Sequence, residues 1–119
     1  MLHMLSCFNL KPQFDLSEFE RSLDEFTTHM RSLDLIVDRG PIGRRVTDTI
    51  LDTDSERSHR YFMLMQFRDR AQADKAVDYI QSHIEPGDSI HSNVYQKADD
   101  MIFICWQDTR PAEPETQPQ

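Results

Sequence analysis

Two short stretches of this chain are apolar at every second position counted from either start: Tyr61-Phe62-Met63-Leu64-Met65-Gln66-Phe67 and Met101-Ile102-Phe103-Ile104-Cys105-Trp106. Successive strand side chains point to opposite sides of a sheet, so a strand covered on one side alternates apolar with polar. These do not alternate, and both faces of their sheet therefore need covering. Residues 2–10 predict a first strand, with His3, Leu5, Cys7 and Asn9 on one face and Leu2, Met4, Ser6 and Phe8 on the other. Lys11-Pro12-Gln13 closes it.

The apolar period then changes. Leu16, Phe19, Leu23, Phe26, Met30 and Leu33 recur at steps of three and four, the stripe of an amphipathic helix. Asp15 is placed to cap it and Glu18 to complete a capping box, with Phe14 and Phe19 as a hydrophobic staple. A second helix follows Asp69, with Gln72 at the capping-box position and Ala73, Ala76, Val77, Ile80 and Ile84 as its buried stripe, stopped by Pro86-Gly87. Between the helices, residues 35–47 are extended but interrupted by Gly40-Pro41, the mark of an edge, bend or bulge. Residues 48–59 read as an exposed acidic loop, 88–95 as one or two short helical turns, and 100–107 as the last strand. The tail from 109 to 119, rich in Pro, Glu and Gln, is expected to be disordered.

The order β-α-β-β-α-β predicts an α+β, ferredoxin-like domain over residues 1–108: a four-stranded antiparallel sheet with two helices on one face. Two helices cannot cover both faces. The bare face predicts a second copy, most simply a two-fold homodimer. Any active site is expected to open off that bare face.

Composition narrows the partners. The 119 residues carry a formal net charge of −8, which disfavours nucleic acid and anionic membranes as partners. No apolar stretch approaches membrane-spanning length, and the N-terminus has neither the basic region nor the apolar run of a signal peptide, so a cytoplasmic location is expected. Cys7 and Cys105 are expected to be reduced, buried, small apolar residues, and no metal-ligand spacing occurs. With three glycines and no glycine-rich loop between a strand and a helix, no nucleotide or other cofactor is expected.

Arg39, Arg44 and Arg45 form a basic island whose only neighbouring acid is Asp38. Strand parity places Arg44 with Ile42 and Val46, toward an apolar and partly covered face, and Arg45 away from it. A guanidinium there needs a carboxylate or phosphate: an anionic ligand, an acid of a second subunit, or a surface ion pair. Among the histidines, His83 and His91 flank Pro86-Gly87 and are candidates for proton transfer, with Asp88 placed to orient His91. His83 is equally a cation at a helix C-terminus. His3 projects with Leu5 and Cys7 toward the interior, as ligand contact or structural histidine.

The stretches Gly40-Pro41-Ile42-Gly43-Arg44-Arg45, Phe67-Arg68-Asp69-Arg70-Ala71-Gln72, Pro86-Gly87-Asp88-Ser89-Ile90-His91 and Ile102-Phe103-Ile104-Cys105-Trp106 resemble the dimeric α+β barrel superfamily, and within it a branch described as stress-responsive. The resemblance covers residues 1 to about 108. It implies a homodimer joined through the sheet face, in a superfamily that holds cofactor-free monooxygenases of aromatic substrates, haem-degrading enzymes, lactone isomerases and members with no known activity. The haem-degrading members use an asparagine, a tryptophan and a histidine; Asn9, Trp106 and His83 supply those residue types here. The expected function is that of a homodimeric, small-molecule-binding or stress-associated protein, with a small apolar or anionic ligand. The alternative is a cofactor-independent monooxygenase- or isomerase-like enzyme, with haem degradation behind it.

Overall fold

The computed structural model describes residues 1–110, so the expected tail lies outside the described residues from Pro111 onward. Strand β1 (Leu2–Leu10) occupies the middle of a sheet, joined by antiparallel ladders to β4 (Tyr61–Phe67) on one side and β5 (Ala98–Gln107) on the other. Met4 faces Met65 across one ladder and Cys105 across the other. The extended segment before β4 is divided into β2 (Asp38–Arg39) and β3 (Gly43–Arg44), and both halves pair with β4. Proline has no N–H to give a ladder, so Pro41 breaks the strand, while Gly40 N–H still reaches the Leu64 carbonyl at 2.7 Å. Five strands thus fill the four positions of the expected sheet, in the order β2-β4-β1-β5 with β3 beside β4.

Three helices cover one face, where two were expected. Helix α1 (Leu16–Ser32) begins as its sequence dictates, the Asp15 carboxylate accepting from Glu18 N–H at 2.8 Å. It buries Phe19, Leu23, Phe26 and Met30, whereas Leu33 caps its C-terminus and is exposed. Helix α2 (Arg70–Gln81) is capped in the same way by Asp69 on Gln72 N–H. The third, α3 (Gly87–Tyr95), is a full nine-residue helix where only turns were anticipated. Its first residue, Gly87, lies so close to the Tyr79 ring of α2 that a Cβ there would require the ring to move.

Parity is now assigned. Leu2, Met4, Ser6 and Phe8 of β1 face the helices with Tyr61, Met63, Met65 and Phe67 of β4 and Met101 and Phe103 of β5. Phe8, fully buried, stacks against Phe19 with centroids 4.8 Å apart and forms the centre of the core. His3, Leu5, Cys7, Phe62, Leu64, Gln66, Ile102, Ile104 and Trp106 take the other face, over which no helix lies. The β1–β5 register slips between Cys7 and Asn9, a bulge that places Asp100 at φ 57°.

Candidate functional site

Helix α1 packs more closely on α3 than on α2, and α2 stands off from it. The gap above β1, β4 and β5 is an open pocket of about 450 Å³. Met4, Met65 and Phe67 form its floor, Phe26 and Met30 one wall, and Ala76, Val77 and Ile80 the other. The pocket explains why the α2 stripe is only half covered: Ala76 is buried, whereas Val77 stands at the mouth and is 51% exposed. Ile84, also expected in that stripe, is exposed beyond the end of α2. A pocket of this size, apolar with few polar groups, has the usual form of a small-molecule site.

Two polar residues of α3 enter this lining. His91 lies 4.7 Å from Tyr95, centroid to centroid, and 5.5 Å from Phe26. Burial pushes the His91 imidazole below the ordinary histidine range, opposed by nearby Asp88 and assisted by His83. Tyr95, enclosed by Phe26 and Phe103, has its phenol pushed up to about 12 by burial and stays neutral. Across the gap, His29 of α1 and Tyr79 of α2 are joined by a hydrogen bond of 2.7 Å. The pocket opens on the helix side of the sheet, opposite to the bare face on which the sequence led us to expect a site. The heptad-like spacing of each helix shows which side it buries but not how far apart two helices stand, so this separation left no signal in the sequence.

The other sequence-derived candidates are scattered. His83, at φ 55° just past α2, is exposed and bonds Asp88 Oδ1 at 2.7 Å; Asp88 therefore orients His83, not His91 as anticipated. His3 is held on the bare face, with Nε2 2.8 Å from Asp108 Oδ1 and its ring stacked on Trp106. Asn9 locks the bulge, its amide donating to Asp100 at 3.1 Å and its oxygen accepting from Arg60 N–H at 2.9 Å. Asn9 pairs with Asp99, seven positions along β5 from Trp106, a separation of about 23 Å at 3.3 Å per strand residue. Asn9, Trp106 and His83 do not converge on one site.

The faces follow the counted parity, Arg44 paired with Tyr61 on the helix-facing side with Ile42 and Arg45 on the other, but burial is the reverse of that expected. Arg44 is exposed, its guanidinium carbon 5.6 Å above the Tyr61 ring, while Arg45 is the enclosed one. Arg45 grips both oxygens of Asp52 at 2.8 Å, donates to the Asp54 carbonyl at 2.7 Å, and also reaches the Arg57 carbonyl. Arg39 pairs with Asp24 of α1. The 48–59 loop folds onto Arg45 from the other side, an enclosure that parity alone does not show. Cys7 is buried as expected; Cys105 is exposed, on the opposite sheet face, and both are free thiols. Among the described residues no group of three or more His, Cys, Asp or Glu side chains is arranged to hold a metal, and no helix is long and apolar enough to cross a membrane.

Comparison with known proteins places the fold. No family model matches the chain, and no curated protein does. Solved structures do. The Arabidopsis thaliana protein At3g17210 superposes with a TM-score of 0.71 at 7% identity, covering 95% of this chain and all of that one (100%). A dimeric ferredoxin-like protein of unknown function from Jannaschia sp. CCS1 gives 0.61 at 12% identity, covering 90% and 98%. The hydroxynitrile lyase of Passiflora edulis gives 0.59 at 8% identity, covering 98% and 96%. The chain has the ferredoxin-like α+β fold. The resemblance to dimeric α+β barrel proteins is thereby matched at the level of fold, and the sequences have diverged too far to carry more.

Proposed function

We propose that this protein is a homodimer whose subunits each bind a small apolar molecule in the pocket between the helices and the sheet. The observation that carries the reading is the pocket itself: about 450 Å³ of apolar space, open at Val77, with His91 as its ionisable group. The dimer is supported by the bare face, where Ile102, Ile104 and Trp106 are each 40–45% exposed beside Leu5 and Leu64. Ile50 and Leu51, 94% and 86% exposed on the loop beside that face, extend the apolar surface. Contiguous apolar area of this kind marks an interaction surface. The Jannaschia structure is described as dimeric, which agrees with this reading. A cytoplasmic, stress-associated role belongs to the same reading, the location from the sequence pattern and the stress association from the resemblance.

The test is a fluorescence titration with an apolar aromatic probe such as 1-naphthol, on the native protein and on Val77→Trp. Saturable binding is expected in the native protein and a loss of about tenfold or more when the indole blocks the mouth, with the fold unchanged because Val77 is exposed. Equal binding by both proteins would remove the pocket as the seat. A second reading, a cofactor-independent enzyme of isomerase or monooxygenase type, is favoured by His91: its neutral imidazole, lowered by burial, is suited to accept a proton from a molecule in the pocket. The Passiflora lyase is an enzyme of the same fold. Turnover that disappears in His91→Gln while probe binding persists would select this reading over binding alone.

A further inference from the structure

A second pocket, of about 410 Å³, lies at the far edge of the sheet from the helix-side pocket's mouth, where β3 and the start of β4 meet the 48–59 loop. Its lining is Arg44, Arg45, Thr47, Arg57, Ser58, His59, Arg60 and Tyr61: four guanidiniums and no acid, in a chain of net charge −8. Of the loop's acids, Asp48 and Glu56 do not line it, and Asp52 and Asp54 are held by arginines. Asp52 is held by Arg45 on both oxygens, and Asp54 is held by Arg57 at 3.0 Å. The Arg45 contact holds the Asp52 carboxyl, and the Glu56 N–H followed by Arg57 holds that of Asp54, below the usual carboxylate range, so both are ionised at neutral pH.

The remaining two arginines have no such partner. Arg44 and Arg60 form no ion pair among the described residues; both also border the adjoining cavity that holds Asp15, Asp99 and Asp100. Arg44 lies over the Tyr61 ring, and its N–H groups are bonded by no carboxylate among the described residues. Arg60 is anchored through its backbone, its N–H on Asn9 and its carbonyl accepting from Arg45 N–H at 2.8 Å. Thr47 and Ser58 add hydroxyls to the same wall. His59, 6% exposed, donates from Nε2 to the Asp100 carbonyl at 2.7 Å, and its Nδ1 is buried without a hydrogen-bond partner. With Nε2 donating, that Nδ1 is an acceptor and offers an oxyanion no hydrogen bond, so the unpaired guanidiniums are the donors such a group would meet.

We infer that this pocket binds the oxyanion group, phosphate or carboxylate, of a small molecule, with Arg44 and Arg60 as its direct contacts and Arg45 as the residue that holds the loop in place. Planar guanidiniums pair with such groups through two parallel hydrogen bonds, and phosphate suits two of them at once. The pocket shares no lining residue with the apolar pocket beneath the helices, so the inference does not depend on the function proposed above. An acid of a second copy is the competing occupant. The lining holding no acid of its own, a mobile anion from solution is the occupant we favour.

The experiment follows thermal unfolding of the full chain at low ionic strength against inorganic phosphate and, separately, sodium benzoate. A saturable rise in Tm is expected with at least one of the two, because a ligand that binds only the folded state stabilises it. Arg44→Gln/Arg60→Gln should weaken that response about tenfold or more, while Arg68→Gln/Arg70→Gln, with the same loss of charge at pairs with Asp34 and Asp74, should retain it. Absence of a response to both anions, or an equal response in both double variants, overturns the inference. Sedimentation without added anion guards the other side: if Arg44→Gln/Arg60→Gln weakens self-association while native protein ignores both anions, the cluster belongs to a subunit interface and the inference fails.

Discussion

Trp106 stacks on His3 across the β1–β5 pair, centroids 5.2 Å apart and planes 24° from parallel, on the face of the sheet that the helices leave bare. Asp108 accepts from the same imidazole, and that hydrogen bond is the chief reason its carboxyl sits below the usual range. Gln66 closes on the other ring nitrogen at 3.4 Å. The result is an ordered aromatic and polar rim beside the aliphatic centre made by Leu5, Leu64 and Ile104. Interfaces commonly have this anatomy, an apolar centre with polar groups at its border.

Trp106 is the single tryptophan and therefore reports on that face alone. Its emission should shift to the red as the protein is diluted through its dissociation constant, and sedimentation should show the dimer giving way over the same range. Ile104→Asp, on the bare face and 45% exposed, should produce a monomer with native circular dichroism, its own stability within about 0.5 kcal/mol of the native monomer's. An invariant emission maximum with a monomeric native protein would refute the homodimer.

Gln72 joins two corners of the fold. It is buried, accepting from Arg68 N–H at 2.7 Å through its side-chain oxygen and donating to the Asp34 carbonyl at 3.0 Å. Asp34 itself sits at φ 57°, just after α1, so this amide ties the exit of α1 to the entry of α2. Gln72→Ala leaves both backbone groups without a partner and should cost about 1–3 kcal/mol in urea unfolding. Gln72→Glu keeps the acceptor but loses the donor and should fall between the two. A loss below about 0.5 kcal/mol for the alanine variant would mean that water replaces the amide.

These particulars mark how far the sequence reaches. Asp15, Glu18, Asp69 and Gln72 are legible because capping is local chemistry, decided within four residues. The sheet order is legible because few chain paths join strands and helices in this sequence. Arg44 and Arg45 keep the faces that parity assigns, but Arg45 is the enclosed one because the 48–59 loop folds onto it through Asp52 and Asp54, a long-range contact that parity does not show. The helix-side pocket is illegible for a different reason: it depends on the distance between α1 and α2, and a stripe such as Ala76-Val77-Ile80 looks the same whether it meets a neighbour or a cavity. The Gly87 position was legible as a stop signal, but not as the seat of the Tyr79 ring.

Cys7 and Cys105 lie on adjacent strands, β1 and β5, yet on opposite faces. Cys7 is enclosed, and burial pushes its thiol up, so its reactive thiolate is scarce; Cys105 is exposed. Iodoacetamide at pH 8 should modify Cys105 first, and Cys7 only as fast as the fold opens. Peptide mass mapping over time distinguishes the two. Equal rates would show that the bare face around Cys7 opens readily in solution.

The last prediction concerns pH and turns on His91. Its folded-state pKa lies below the ordinary value of 6.5 because burial disfavours the imidazolium. Between the two values the unfolded chain binds more protons than the folded one, so stability rises with pH across that window. The stabilisation due to neutral His91 is therefore complete above about pH 6.5 and is lost as pH falls through the lower, folded value. The groups facing it act in opposition, Asp88 favouring the charged ring and His83 disfavouring it. Urea unfolding at pH 7.5 and 5.5 should show the native protein losing more stability on acidification than His91→Gln, which cannot take up that proton. A ligand filling the helix-side pocket should deepen the difference, since it removes the remaining water from around the ring. Identical acid losses in the two proteins would place His91 in solvent, and the pocket would then have no ionisable group to offer a bound molecule.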